Sequence, residues 1–185
     1  MRFHHQLSEN YLNQNIIMRI NTQTLTGWKV ATKVRPIKAK HVKDIVDVRS
    51  LVFDKLLLQT CEGNESLKTD AMICMGEAGD VWQQTTEKFY KKYDYADIDI
   101  NGWKEYTPKP ENEVNCVEVT PEMNSLKYQV PPYFTIVGQW GETVNGVANV
   151  QSGAEGAFIC QNRTDPTDVW IVKRKLFLNT YIIKS

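Results

Sequence analysis

The chain has 185 residues, 42% of them hydrophobic and 10% aromatic, so it can bury a core in one domain or two small ones. Its 22 basic and 22 acidic residues balance, which leaves no long-range positive field to attract nucleic acid. No stretch approaches the roughly 20 apolar residues that a membrane helix needs. Composition therefore excludes a membrane-spanning helix, disfavours a nucleic-acid partner and indicates a globular protein.

The polar, Asn/Gln-rich residues 1–20 are interpreted as a loose leader. Residues 28–34 then alternate apolar and polar side chains, which predicts a half-buried strand. Basic residues recur in and after this strand, and we interpret them as solvated charges of a strand edge and a helix face. They are Lys29, Lys33, Arg35, Lys38, Lys40 and Lys43.

Two helical segments are predicted in the first half. Apolar residues at i, i+3 and i+4 spacing over residues 41–58 predict a packed amphipathic helix. Farther on, Thr85 or Thr86 can cap a short helical turn whose Phe89 and Tyr93 share one face.

The clearest local signal is a hairpin. Asn101-Gly102 supplies the positive φ angles of a type I′ turn, and the resulting register places Asp99 opposite Lys104. Strands are also predicted at residues 71–75 and 114–119. In the second half they are predicted at 128–140, 157–160, 169–172 and 182–183. The glycine-rich segment 138–156 carries no helix signal.

An internal repeat organises the chain. Asp80-Val81-Trp82 recurs as Asp168-Val169-Trp170, and in both copies Phe and Tyr follow at the same spacing. An Ala-x-Ile-Cys sequence lies upstream of each copy, at residues 71–74 and 157–160. The pattern indicates a diverged internal duplication, and the repeated aromatic residues are interpreted as core.

The duplication predicts an α+β, β-rich fold made of two related small units, the first with a packed amphipathic helix. We assign residues 21–107 to the first unit, 108–125 to a linker or crossover, and 126–185 to the second unit.

The four cysteines have no Cys-x-x-Cys spacing and no nearby His pair, so no metal site and no cofactor are predicted. Buried free thiols are favoured, which indicates a reducing, cytoplasmic compartment. No complete catalytic set occurs, although a site that combines a Cys or His41 with distant carboxylates stays open as an alternative.

The second half carries Lys127-Tyr128, Pro131, Gln139-Trp140, Gly141-Glu142, Trp170, Phe177 and Tyr181 in that order. This pattern resembles a group of small phage and bacterial proteins of uncharacterised function. The resemblance implies a phage or bacterial origin and brings no established activity. Where the group has a helix after Gly-Glu, this chain has the glycine-rich segment.

We expect a non-catalytic binding protein of phage or bacterial cytosol, with a partner protein or small-molecule ligand held near the junction of the two units. Aromatic residues outside the repeat could line such a pocket by stacking. The candidate ligand-binding residues are Trp103, Tyr106, Trp140, Gly141, Glu142 and Arg163. Two alternatives stay open: a small hydrolase or transferase, and an oligomerising structural component that forms a homo-oligomer.

Overall fold

A computed structural model describes residues 18–46, 56–60, 63–120, 133–138 and 150–185. These residues form mainly β-strands with two short α-helices, so the predicted β-rich α+β class is confirmed. The strands are β1 (Met18–Arg19), β2 (Lys29–Lys33), β3 (Ile37–His41), β4 (Leu57–Thr60), β5 (Gly63–Ser66), β6 (Ala71–Met75), β7 (Val81–Thr85), β8 (Tyr93–Ile100), β9 (Trp103–Pro108), β10 (Glu113–Glu118), β11 (Tyr133–Val137), β12 (Val150–Ala154), β13 (Phe158–Asn162), β14 (Val169–Val172) and β15 (Tyr181–Ile183). The helices are α1 (Thr86–Lys92) and α2 (Arg174–Thr180). Neither is long and apolar enough to cross a membrane, and the same holds for every helix in these ranges.

Two five-stranded antiparallel sheets dominate the fold. Sheet one has the strand order β7-β6-β3-β9-β8, and sheet two has the order β14-β13-β10-β2-β15. A three-stranded sheet, β1-β11-β12, and the hairpin β4-β5 accompany them. Sheet one comes from one continuous stretch, residues 37–108, which is inserted between the neighbouring strands β2 and β10 of sheet two. The chain therefore leaves sheet two after β2 and returns to it at the neighbouring strand β10. These two connections lie side by side, and the Lys33 N–H donates a hydrogen bond to the Asn112 carbonyl at 3.0 Å.

The predicted internal duplication is confirmed by the strand pairing. Strands β6, β7 and β8 of sheet one occupy the same places as β13, β14 and β15 of sheet two. In register, Cys74 faces Trp82 and Cys160 faces Trp170. Each copy then runs strand, helix, strand, and both helices end on the same backbone hydrogen bond, from Tyr93 to Phe89 and from Tyr181 to Phe177.

The duplication extends farther towards the N-terminus than the sequence motifs indicate. Gly27-Trp28-Lys29 precedes and enters β2, and Gly102-Trp103-Lys104 does the same for β9, with Lys29 facing Cys116 and Lys104 facing Ala39. Each copy therefore gives its first strand to the sheet of the other copy. The stretch 108–125, interpreted as a linker or crossover, contains β10, the central strand of sheet two.

Aromatic rings of the repeat fill equivalent places in the two sheets. In sheet one, Phe89 is fully buried and stacks on Tyr93, with ring centroids 5.1 Å apart. In sheet two, Phe177 is fully buried between Phe158 and Tyr181, with centroid distances of 3.9 and 4.8 Å. The interpretation of the repeated aromatic residues as core is confirmed for Phe89, Tyr93 and Phe177, whereas Trp82, Trp170 and Tyr181 are partly buried and pack against the core.

Local predictions around the first helix and the hairpin are confirmed. Thr85 caps α1 by accepting a hydrogen bond from the Lys88 N–H. At the β8–β9 turn, Asn101 has φ 56° and Gly102 has φ 75°, and Asp99 faces Lys104 as expected. The Asp99 carboxylate also accepts a hydrogen bond from the Gly102 N–H at 2.9 Å.

The helix predicted over residues 41–58 is wrong for the part that the structure describes. Val42–Asp44 forms a single 3-10 turn, and Leu57–Thr60 is strand β4; residues 47–55 lie outside the described ranges. Val42 of the 3-10 turn lies buried against Ile73 of sheet one. Among the described residues, the packed helix of the first copy is α1, and the second copy has an equivalent helix, α2, that the sequence motifs did not reveal.

The predicted leader also ends earlier than residue 20. Met18–Arg19 pairs in parallel with β11, and the Ile20 side chain is buried in a core cluster with Phe134 and Ile136. An apolar side chain in this position gains stability by leaving water, which draws the adjacent backbone into the sheet.

Candidate functional site

Three of the residues that the sequence singled out as ligand-binding lie in the part of the chain that the structure describes. Tyr106 is buried in sheet one, with its ring 4.7 Å from the Phe89 ring, and Trp103 packs half-buried beside Val42 and Ile73. Arg163 directly follows β13 of sheet two and forms an ion pair with Glu113.

These three side chains are not brought together, and their contacts are those of packing and of a surface ion pair. The other candidates, Trp140, Gly141 and Glu142, lie outside the described residues, as do the resemblance positions 127–131.

A cavity of about 740 Å³ lies where the two sheets meet, and we name it the junction cavity. It is lined from the first copy by β7 and α1 and from the second copy by β12, β14 and α2. Trp82 and Trp170, the repeated tryptophans, both contribute to its wall. Both copies thus supply the same aromatic residue to one concave space.

The Lys33 side chain lies in the wall of this cavity and contacts aromatic rings of both copies. Only 9% of its surface is exposed, and its Nζ lies 4.3 Å from the centroid of the Trp82 ring. The same Nζ lies 5.6 Å from the Tyr93 ring and 5.8 Å from the Tyr181 ring. Because these two tyrosines are equivalent in the repeat, the ammonium group sits almost midway between the copies. Cation–π attraction to the rings offsets part of the cost of burying the charge.

A second buried charge, Asp168, anchors the other side of the cavity. Only 8% of this residue is exposed; its Oδ2 accepts a hydrogen bond from Asn162 Nδ2 at 3.1 Å and lies 3.7 Å from Lys88 Nζ. Lys88 belongs to α1 of the first copy, so this ion pair joins the two copies across the junction.

The pKa of Lys92, the last residue of α1, is influenced by all of these charges. Burial lowers its pKa, Asp168 opposes that shift, and the positive charges of Lys33 and Lys88 add to it. Three lysines, Lys33, Lys88 and Lys92, thus line the same cavity, and of these only Lys88 forms an ion pair with a carboxylate of the described residues.

The two repeated aspartates differ in their surroundings. Gly76 and Asn162 are equivalent, since their N–H groups donate to the carbonyls of Asp80 and Asp168, both at 2.9 Å. The Asn162 side chain also donates to Asp168, whereas Gly76 has no side chain and leaves the space that Asp80 Oδ1 occupies. Asp80 Oδ1 is buried and has no hydrogen-bond donor among the described residues.

His41 has a structural environment outside the junction cavity. Its Nδ1 accepts a hydrogen bond from the Lys43 N–H at 3.1 Å and so caps the 3-10 turn. Its Nε2 lies 3.5 Å from Asp70 Oδ1, which also accepts a hydrogen bond from the Thr86 hydroxyl.

The described cysteines are buried free thiols, as the sequence predicts. Burial raises the pKa of the Cys74 thiol to about 12 and also raises that of Cys116. These thiols stay protonated at neutral pH, and the protonated form is a poor nucleophile. Within the described ranges, no group of three His, Cys, Asp or Glu residues is placed to hold a metal ion.

Sequence reasoning missed the lysines of the cavity for a physical reason. The alternation in residues 28–34 has Trp28, Val30 and Val34 as its apolar phase, which turns Lys33 towards solvent. In the structure the opposite phase is buried, with Ala31 fully enclosed and Val34 exposed. Lys33 shares the face of Ala31, so it is carried inward with it.

Comparisons with protein-family models, with curated proteins and with solved structures found no significant match to this chain.

Proposed function

We propose that the chain is a non-catalytic binding protein that holds a small molecule with an apolar ring in the junction cavity. The observation that carries the proposal is the cavity itself, a concave space walled by Trp82 and Trp170. Its volume of about 740 Å³ falls within the roughly 300–1,000 Å³ typical of small-molecule sites. A cytoplasmic location and a phage or bacterial origin belong to the same proposal. Buried free thiols support the first and the sequence resemblance supports the second.

The test uses N-phenyl-1-naphthylamine, a neutral two-ring probe whose fluorescence rises in apolar surroundings. We expect saturable binding to the folded protein. Gln84→Trp and Val172→Trp occupy equivalent places on β7 and β14 and line the cavity, so a bulky ring at either position should displace the probe. Ile182→Trp is the control, since Ile182 is 61% exposed and lies outside the cavity lining.

Binding that survives both cavity substitutions in folded protein, shown by unchanged circular dichroism, would overturn the proposal. So would the absence of saturable binding to the unsubstituted chain both of this probe and of its sulfonated counterpart, 8-anilinonaphthalene-1-sulfonate.

Thiol reactivity separates this proposal from the cysteine-enzyme alternative. In a Cys61→Ser background, Cys74, Cys116 and Cys160 should not react with a thiol-exchange reagent at neutral pH in the native protein, because all three are buried. All three should react after denaturation, which serves as the internal control. A fast-reacting thiol in the native state would favour an enzyme instead. The homo-oligomer alternative stays a prediction, and sizing in solution tests it.

A further inference from the structure

Two lysines that line the junction cavity, Lys33 and Lys92, carry positive charges that no ion pair with a described carboxylate balances. Neither Lys33 nor Lys92 forms an ion pair with a carboxylate of the described residues, although Lys33 is nine-tenths buried. Lys88 has Asp168, but the same carboxylate is the neighbour that acts on Lys92. An ammonium group withdrawn from water without a partner is costly, so the cavity as it stands favours an added negative charge.

Other residues of the cavity lining indicate what the uncharged part of such a ligand would be. Trp82, Trp170 and Ile171 line the cavity and offer apolar surface to a ring or chain. The cavity is far larger than an inorganic anion. Such an anion would fill only the space between the ammonium groups and would leave the rest of the cavity empty. Asp80 Oδ1, buried and without a described donor, would accept a hydrogen bond from a ligand hydroxyl or N–H group.

We propose that the ligand is an organic anion, with an apolar body in the cavity and one carboxylate, sulfonate or phosphate group bound between Lys33 and Lys92. This inference rests on the proposed function, because it takes the junction cavity to be the binding site. It goes beyond it by stating the charge of the ligand and the two residues that select it.

The test compares two probes with the same ring system. N-phenyl-1-naphthylamine is neutral, and 8-anilinonaphthalene-1-sulfonate is its sulfonated counterpart. We expect the sulfonate to bind about tenfold more tightly, the ratio that one charge-assisted hydrogen bond supplies. Lys33→Met and Lys92→Met keep the aliphatic length and remove the charge, so each should weaken the sulfonate about tenfold and leave the neutral probe within about twofold.

Lys38→Met is the matched control, because Lys38 is an exposed lysine of β3 outside the cavity lining. It should leave both affinities unchanged. Competition by 1-naphthoate and by 1-naphthyl phosphate then distinguishes a carboxylate ligand from a phosphate ligand.

Equal affinity for the two probes would overturn the anion inference and leave the cavity proposal intact. Equal weakening of both probes by the lysine substitutions would also overturn it, since the lysines would then act only through structure. Failure of both probes to bind the unsubstituted protein would overturn the proposed function itself.

Discussion

Replacing Phe89 or Phe177 with Ala should lower the free energy of unfolding by about 3–5 kcal/mol, the range for truncating a fully buried Phe. Both side chains have no exposed surface. Each lies within 5.1 Å of a neighbouring ring, so the truncation leaves a cavity walled by flat groups that cannot easily close it. Urea unfolding monitored by circular dichroism measures the loss.

The chain offers a matched control for each substitution on the same helix. Tyr90→Ala and Leu178→Ala remove side chains that are both 51% exposed and that occupy equivalent places in the repeat. We expect these changes to cost below about 1 kcal/mol, as is usual for surface positions. Similar losses from Phe177→Ala and Leu178→Ala would contradict the packing described for sheet two. Similar losses from Phe89→Ala and Phe177→Ala would agree with the equivalence of the two copies.

Elements with complete local signals could be predicted from the sequence. The β8–β9 hairpin is specified by Asn101-Gly102, which adopts positive φ readily, and α1 is specified by its Thr85 cap. Helix α2 has no such signal, because Lys173 at its N-cap makes no side-chain hydrogen bond. The repeat of Phe177 and Tyr181 was therefore interpreted as core only, and the helix was not predicted.

The pairing of strands across the two copies could not be predicted from local pattern. Strand β2 joins β10 and β15, whose residues lie about 80 and 150 positions away, and these neighbours decide which face of β2 is buried. The candidate site depends on that choice, since it places Lys33 beside Trp82. The repeated tryptophans were recognised, but the lysines around them belong to no motif. Trp103, Tyr106 and Arg163, the described residues chosen as ligand-binding, do not line the cavity.

Replacing Asp168 with Ala should destabilise the protein by about 2–3 kcal/mol, less than the roughly 3–5 kcal/mol for breaking a fully buried ion pair, because Lys88 is partly exposed. The loss leaves Lys88 without its ion-pair partner and Lys92 without the carboxylate that opposes the lowering of its pKa. Asp80→Ala is the matched control at the equivalent position. It should cost less than about 1 kcal/mol, since Asp80 Oδ1 accepts no hydrogen bond from the described residues.

A double substitution and a pH series test whether the lysine charges cause the loss of stability in Asp168→Ala. Lys92→Met should recover part of the stability lost in Asp168→Ala, because it removes one of the repelling charges. Burial already lowers the pKa of Lys92 from 10.5. Between that lowered value and 10.5 the unfolded chain binds more protons than the folded one, so stability from this residue rises with pH. The deficit of Asp168→Ala should therefore shrink as the pH rises towards 10.5, and a deficit that grows instead would show that Lys92 is not the charge Asp168 balances.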